Sequence, residues 1–168
     1  LRQVAGLNRG EDPVQGDLAN GATALYPGCA ADPQCPSWTG LERRLQRKRD
    51  AGARFVQTQM VMDPEALERL QTRLTGPMQL PVLAGVFLLK SAKNAQFINR
   101  VVPGARIPES LIERLDQAAD PAMEGMAIAA EQVRRYLGIV QGVHLMAIKA
   151  EDRVPRILEM AGVSRLQA

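Results

Sequence analysis

The sequence predicts an α/β fold built on a parallel sheet, and two observations support this prediction. Segments with strand character alternate along the chain with segments of helical periodicity, which is typical of parallel strands joined by helices. Residues 81–89 are apolar almost throughout, as expected of a strand that is covered on both faces. About four strand–helix units follow one another, about half of a TIM (β/α)8 barrel, which takes roughly 250 residues. We therefore expect residues 1–168 to form one domain, the C-terminal portion of such a barrel without its N-terminal strands.

The strands and loops are predicted from composition and alternation. Four strands are predicted, at residues 23–29, 54–59, 81–89 and 142–148. The first contains Leu25 and Tyr26, and the second follows a turn at Ala51-Gly52-Ala53. Residues 6–21 are rich in Gly, Asn and Asp, and residues 30–37 contain two prolines, so both segments are predicted to be loops.

The helices are predicted from leucine spacing and from capping residues. They are expected at residues 38–51, from 64 onwards, 92–101, 108–117, 121–137 and 151–160. Thr39, Asp63 and Ser91 are the predicted N-terminal caps of the first three, and Pro64 suits a first helical turn. Gly162 follows the last helix, where a helix C-terminus is expected. The chain begins at Leu1 in what looks like the end of a helix, so we expect further sequence upstream.

Composition limits the functional classes. Apolar residues make up 46% of the 168, and the net charge is +3, too small an excess to indicate nucleic acid but compatible with an anionic cofactor. We expect no membrane segment, because no apolar run approaches roughly 20 residues. Cys29 and Cys35 are the only cysteines, and reduced thiols in a cytoplasmic protein are the expectation. Two cysteines and a single histidine predict no metal site.

Polar side chains follow the predicted strands at the end where parallel α/β proteins bind ligands. The second strand ends in Gln57-Thr58-Gln59, the third is followed by Lys90 and Ser91, and the last carries His144 and is followed by Lys149. The first supplies Tyr26 and the loop at residues 28–33. A buried glutamine satisfied by backbone groups would explain Gln59 equally well, and a lone histidine on an apolar strand is more often structural.

Arg44, Arg47 and Lys48 lie three and four residues apart, on one face of a predicted helix. Such a cluster can hold a pair of phosphates through charge-assisted hydrogen bonds. A solvated basic face is the alternative, and the residues alone favour it. The sequence contains no G-x-G-x-x-G motif and no P-loop, and no side chains are spaced for a nucleophilic triad.

In their order and spacing, several segments resemble the C-terminal half of methylenetetrahydrofolate reductase, especially the cyanobacterial type. The likeness runs from about residue 7 to residue 163. It is carried by residues 26–33 (YPGCAADP), 48–59 (KRDAGARFVQTQ), 81–85 (PVLAG), 90–97 (KSAKNAQF), 103–108 (PGARIP) and 142–144 (GVH).

The resemblance implies a flavin-bearing eight-stranded barrel in one-carbon metabolism and methionine biosynthesis. Such enzymes pass a hydride from NADH or NADPH through FAD to 5,10-methylenetetrahydrofolate, which gives 5-methyltetrahydrofolate. The implied substrate-binding residues are Gln59, at the pterin, either Phe97 or Ile98, at substrate and nicotinamide, and Lys149, at the folate tail. The implied cofactor-binding residues are Tyr26, Asp32, Arg44, Arg47 and Lys48, the last three facing the FAD pyrophosphate.

The sequence also departs from the family pattern. The acidic residue that the family often places at the FAD ribose falls at Leu41, with Glu42 one residue away. The family's glutamate proton donor and flavin-tuning aspartate belong to earlier strands, so no catalytic residue is expected in this half and the chain alone is expected to be inactive. Two alternatives remain: a short flavin- or folate-binding module without reductase activity, and a half-barrel that dimerises or otherwise self-associates through its open sheet edges.

Overall fold

The computed structural model describes residues 1–12, 14, 16–18 and 20–163. Seven α-helices and six strands are found in this part of the chain. In order they are α1 (Arg2–Leu7), β1 (Glu11–Asp12), β2 (Gly16–Asp17), β3 (Gly28–Ala31), α2 (Trp38–Asp50), β4 (Phe55–Met60), α3 (Pro64–Leu70), β5 (Val82–Phe87), α4 (Ala92–Val101), α5 (Glu109–Asp116), α6 (Pro121–Leu137), β6 (Gly142–Met146) and α7 (Val154–Met160). A π-helical turn, Gln71–Thr75, continues α3, and a 3-10 turn, Glu151–Arg153, precedes α7.

The four longer strands form one parallel sheet in the order β3-β4-β5-β6, so the predicted α/β class is confirmed. Each strand pairs with the next one in the chain, as in a TIM barrel, and β3 and β6 each have one neighbour among the described residues. The two-residue strands β1 and β2 form a separate antiparallel hairpin within the segment predicted to be loop.

The two faces of the sheet differ sharply in burial. Val56, Val82 and Val86 point toward the helices and are completely buried, in a core that includes apolar residues of α2, α3, α6 and α7. The alternate residues, such as Gln57 and Leu83, point to the opposite face and are only half-buried. The helices therefore cover one face, and the other face, which we call the inner face, stays partly open.

A bulge between β4 and β5 shifts the strand register close to the strand ends. Gln57 pairs with Leu83 but Met60 pairs with Gly85, so β4 contains one extra residue. At the bulge, the Thr58 side chain bonds backbone groups of both strands. Its hydroxyl accepts a hydrogen bond from the Gly85 amide (2.8 Å) and donates one to the Gln59 carbonyl (2.7 Å). A Cβ at Gly85 would lie 2.6 Å from that carbonyl, so glycine permits the close approach.

Local signals predicted helix ends better than strand ends. Asp63 and Ser91 cap α3 and α4 as predicted, whereas the predicted cap Thr39 is wrong, because the Ser37 hydroxyl accepts from the Gly40 amide. The first sheet strand was predicted too early: β3 begins at Gly28, so residues 23–27 precede the sheet. The final helix is interrupted, since residues 151–153 form the 3-10 turn.

Helix α6 is held against the ends of β4 and β5. The buried Tyr136 hydroxyl donates to the Val61 carbonyl at 2.8 Å, and burial raises the pKa of this phenol. Gly125 lies so close to the Leu89 carbonyl that any side chain at this position would collide with it. Across the described residues, no helix combines the length and the apolarity needed to cross a membrane.

Candidate functional site

The main site candidate is a cleft of about 700 Å³ along the edge strand β3 and the inner face of β4. We call it the β3–β4 cleft. Its lining residues come from β3, α2, β4 and β6: Gly28, Cys29, Ala30, Ala31, Asp32, Leu41, Arg44, Leu45, Lys48, Phe55, Gln57, Thr58, Gln59, His144 and Met146. The volume lies within the range of small-molecule sites.

Gln59 lines the cleft near the carboxyl end of β4, as the sequence predicted. Its Oε1 accepts a hydrogen bond from the Met60 amide at 3.0 Å. This bond engages only the side-chain oxygen. The NH2 group of the side chain has no hydrogen-bond partner among the described residues. Gln59 therefore offers a hydrogen-bond donor pair whose orientation is fixed by its own backbone.

The basic face of α2 is split between this cleft and the neighbouring surface. Arg44 and Lys48, four residues apart, line the cleft, whereas Arg47 borders two shallower grooves beside it. Lys48 Nζ donates to the Ala30 carbonyl at 2.6 Å, which leaves two of its three protons for another acceptor. The structure thus joins two of the three predicted cations.

The two predicted cofactor contacts around β3 lie at opposite ends of that strand. Asp32 follows the carboxyl end and lines the cleft, with Oδ1 accepting from the Gln34 amide at 2.9 Å. Tyr26 precedes the strand, is mostly exposed, and stacks on Phe55 with 5.8 Å between ring centroids. The expectation that Tyr26 sits at the ligand end is wrong, because β3 begins two residues after it rather than around it.

Gln57 and His144 meet on the inner face, although the sequence suggested no link between them. Gln57 Nε2 lies 2.7 Å from His144 Nδ1, and both side chains line the cleft. The histidine is therefore a hydrogen-bonded member of the site.

The cations after β5 and β6 lie outside the cleft lining. Lys90 Nζ donates to the Ile148 carbonyl at 2.6 Å and so ties these two strand ends together. Lys149 is exposed and has a left-handed backbone with a φ of 55°, supported by a hydrogen bond from its amide to Glu151 Oε1. Its ammonium group has no partner among the described residues.

Phe97 and Ile98, the alternative positions for one substrate contact, have opposite environments on α4. Ile98 is buried in the core beside Met60 and Leu115, so its side chain offers no surface to a ligand. Phe97 is half exposed and lies beneath the Arg100 guanidinium, 5.7 Å from the ring centroid. Of the two, Phe97 is the accessible side chain.

The electrostatics of the cleft are cationic. Burial raises the pKa of the Cys29 thiol, an effect that Lys48 opposes, so the thiol stays neutral near pH 7. Within the described ranges, no three His, Cys, Asp or Glu side chains converge as a metal site would require.

Comparison with known families decides the relationship. The family model of methylenetetrahydrofolate reductase matches residues 9–162. The chain belongs to the methylenetetrahydrofolate reductase family. The family predicted from the ordered sequence segments is thereby confirmed.

The curated relatives that the chain matches are much longer than the chain itself. It is 28% identical over 152 residues to the probable methylenetetrahydrofolate reductase (NADPH) of Caenorhabditis elegans, covering 83% of this chain and 23% of that protein. It is 24% identical over 165 residues to methylenetetrahydrofolate reductase 2 of Schizosaccharomyces pombe, covering 88% of this chain and 26% of that protein. The chain therefore spans about a quarter of the length of these relatives.

A solved structure supports the same fold for this member of the methylenetetrahydrofolate reductase family. The chain is similar to an uncharacterised protein from Clostridium thermocellum that binds two copies of 5-methyl-5,6,7,8-tetrahydrofolic acid. The TM-score is 0.61 at 18% identity, and the match covers 82% of this chain and 52% of that one.

Sequence reasoning missed two supporting residues of the site. Gln34 was assigned to a loop, yet its buried side chain accepts from the Met62 and Asp63 amides and joins the segments after β3 and β4. Gln57 was noted only as part of the polar end of the second strand. A buried glutamine in a proline-rich loop is a weak signal, because its partners lie 28 and 29 residues away.

Proposed function

We propose that this chain supplies the substrate- and cofactor-binding half of a barrel that reduces 5,10-methylenetetrahydrofolate to 5-methyltetrahydrofolate. NADH or NADPH is the proposed reductant and FAD the proposed cofactor. One observation above all supports this reading: the Gln59 amide and the cations Arg44 and Lys48 share a single cleft near the strand ends. Family membership supports the reaction class, and the chain's span of about a quarter of its relatives fits a part of the complete enzyme.

The residues of the cleft fit a dinucleotide such as FAD. Arg44 and Lys48 provide two positive charges beside apolar walls formed by Leu41 and Leu45. Lys48 uses one ammonium proton in its bond to the Ala30 carbonyl, so it can bind a phosphate while keeping that bond to β3. When bound, the flavin would supply the hydride chemistry between nicotinamide and folate, and the protein would supply binding and orientation.

In this proposal the side chains have separate tasks. Gln59 donates its amide protons to the pterin, and its oxygen, bonded by Met60, keeps the group from rotating. Arg44 and Lys48 hold the cofactor pyrophosphate, with Arg47 contributing charge from outside the cleft. Asp32, in the turn after β3, is a further proposed contact to the cofactor. Phe97 offers a ring to substrate or nicotinamide, and Lys149 offers a cation to the folate tail.

The chain contributes binding groups but no proton donor in this reading. Asp32 is the one carboxylate in the cleft lining, and its Oδ1 is engaged by the Gln34 amide. In this proposal, the group that protonates the substrate comes from strands outside this sequence. We therefore propose that catalysis needs the complete barrel, with a general acid worth perhaps 10²–10⁴ in rate on the other half.

Gln59 provides the sharpest test. In the complete enzyme, Gln59→Ala should weaken folate reduction more than it weakens nicotinamide oxidation with an artificial acceptor. The reason is that folate takes part only in the first of these two reactions. Loss of a hydrogen bond to a buried group costs about 1–3 kcal/mol. Gln59→Glu is the matched control: it keeps an oxygen for Met60 but removes the donor, so it should resemble Gln59→Ala. Equal losses in both half-reactions would assign Gln59 to the flavin or the fold and would contradict the proposal.

A further inference from the structure

A second concavity, of about 430 Å³, lies between the segment after β3, the start of α2, helix α3 and the segment after α4. We call it the Trp38 pocket. It is lined by Pro33, Gln34, Cys35, Trp38, Asp63, Ala66, Arg69, Arg73 and Arg106. None of these residues lines the β3–β4 cleft, and none lies on a strand of the sheet.

Three arginines converge on this pocket from two separate parts of the chain. Arg69 and Arg73 lie four residues apart on α3 and its π-helical extension, a spacing at which like charges repel. Arg106 reaches the same pocket from the segment that follows α4. Like charges gather in this way at a cost, and that cost is offset when an anion binds between them.

The pocket contains too little negative charge to balance the arginines. Asp63 is its one carboxylate: Oδ2 lies 3.7 Å from Arg69 Nη2, and Oδ1 accepts from the Glu65 and Ala66 amides as the cap of α3. Neither Arg73 nor Arg106 has a hydrogen-bonding or ionic partner among the residues that the structure describes. Two guanidinium groups are therefore available to a ligand.

The walls of the pocket are apolar and firmly held, which distinguishes it from a solvated basic surface. The Trp38 ring and the buried Pro33 and Ala66 form the apolar part. Behind them, Gln34 Oε1 accepts from the Met62 amide at 2.5 Å and fixes the loop after β3 to the start of α3. A low-dielectric wall strengthens any charge pair formed against it.

We propose that the Trp38 pocket binds a small molecule bearing a multivalent oxyanion, which Arg73 and Arg106 hold with support from Arg69. The guanidinium fork matches the oxygen geometry of phosphates and carboxylates, and Trp38 packs against the rest of the ligand. A phosphate ester or pyrophosphate and a di- or tricarboxylate share this chemistry. The site is independent of the FAD and folate sites proposed for the β3–β4 cleft.

Trp38 is the single tryptophan of the chain, so its emission reports directly on this pocket. We would titrate the 168-residue chain with inorganic pyrophosphate, inorganic phosphate and tricarballylate, each against chloride at equal ionic strength. A saturable change in emission is expected for at least one of the oxyanions. Arg73→Gln and Arg106→Gln should each weaken that binding about tenfold or more, the usual consequence of losing a hydrogen bond to a charged group. Arg49→Gln, an exposed arginine of α2 outside both sites, is the matched control and should bind as the parent chain does.

The same titrations followed by thermal unfolding give a second, independent readout. An oxyanion that binds the folded chain raises the Tm, and the increase should vanish in both pocket variants but persist in Arg49→Gln. Stronger binding of phosphates would identify a phosphorylated ligand, and stronger binding of tricarballylate a polycarboxylate. The proposal is overturned if no oxyanion changes either signal beyond the chloride control, or if the pocket variants respond as fully as the parent.

Discussion

Gln57 on β4 and His144 on β6 are hydrogen-bonded to each other across the intervening strand β5, with 2.7 Å between Gln57 Nε2 and His144 Nδ1. With the amide nitrogen as donor, Nδ1 is the acceptor and the ring proton resides on Nε2. Gly85, the register neighbour of His144 on β5, has no side chain to stand between them. The pair spans three strands of the inner face and sets the orientation of a cleft-lining imidazole.

A double-mutant cycle should measure this link. Gln57→Met and His144→Leu each remove one partner with little loss of volume, and each should lower the free energy of unfolding by about 1 kcal/mol because a polar group is left unpaired. The double variant should lose less than the sum, with a coupling of about 0.5–1.5 kcal/mol. Urea denaturation of the four proteins supplies the values. Strict additivity would mean that the two side chains do not interact in solution.

Flavin retention should separate the cations that line the cleft from the one beside it. In the complete enzyme, Arg44→Glu combined with Lys48→Glu should release FAD, because the reversed charges repel the pyrophosphate from inside the cleft. Arg47→Glu reverses a charge on the same helix but outside the cleft lining, so this variant should retain most of the flavin. The flavin absorbance of each purified protein measures the outcome. If the double variant stays yellow, the assignment of Arg44 and Lys48 to the cofactor is wrong. If Arg47→Glu alone releases the flavin, the main cofactor contact lies outside the cleft.

The bulge that contains Gln59 depends on Gly85. In Gly85→Ala the new methyl group would lie 2.6 Å from the Gln59 carbonyl, a backbone atom that cannot move without shifting β4. We expect a loss of about 1–3 kcal/mol in the free energy of unfolding, together with weaker folate binding. Gly142→Ala is the control, because its methyl group meets only the end of the Leu83 side chain at 2.8 Å. Equal stability of the two variants in urea would show that the bulge adapts freely.

Local chemistry made much of this fold predictable from sequence. The side chains of Asp63 and Ser91 each accept hydrogen bonds from backbone amides within the next three residues. The caps of α3 and α4 could therefore be predicted from the sequence alone. The limits of β3 were not visible, because Cys29, Ala30 and Ala31 have modest strand preference. They become a strand because they pair with residues 56–58 of β4.

The candidate site was predictable only where one segment carries it. Gln59 and the i, i+4 pair Arg44 and Lys48 follow from strand end and helix spacing. The Gln57–His144 bond joins residues 87 positions apart, and the arginines of the Trp38 pocket come from segments with no shared motif. Whether residues so far apart in the sequence meet depends on strand register and on how the helices pack against the sheet. The periodic pattern of apolar residues does not contain that information.

The edges of the sheet lead to a final prediction, that the 168-residue chain made alone self-associates and does not reduce methylenetetrahydrofolate. In a parallel ladder, alternate residues turn their backbone groups to opposite sides, and the Ala30 carbonyl is bonded by Lys48 rather than by a strand. Ala30 thus faces the free edge of β3, and an unpaired edge beside a half-open apolar face recruits another chain. Ala30→Pro removes an edge N–H without breaking the β3–β4 ladder, so it should lower the mass measured by sedimentation, while Ala30→Ser should leave that mass unchanged. A compact monomeric parent chain with native-like turnover would refute both the half-barrel assignment and the assignment of the proton donor to the absent strands.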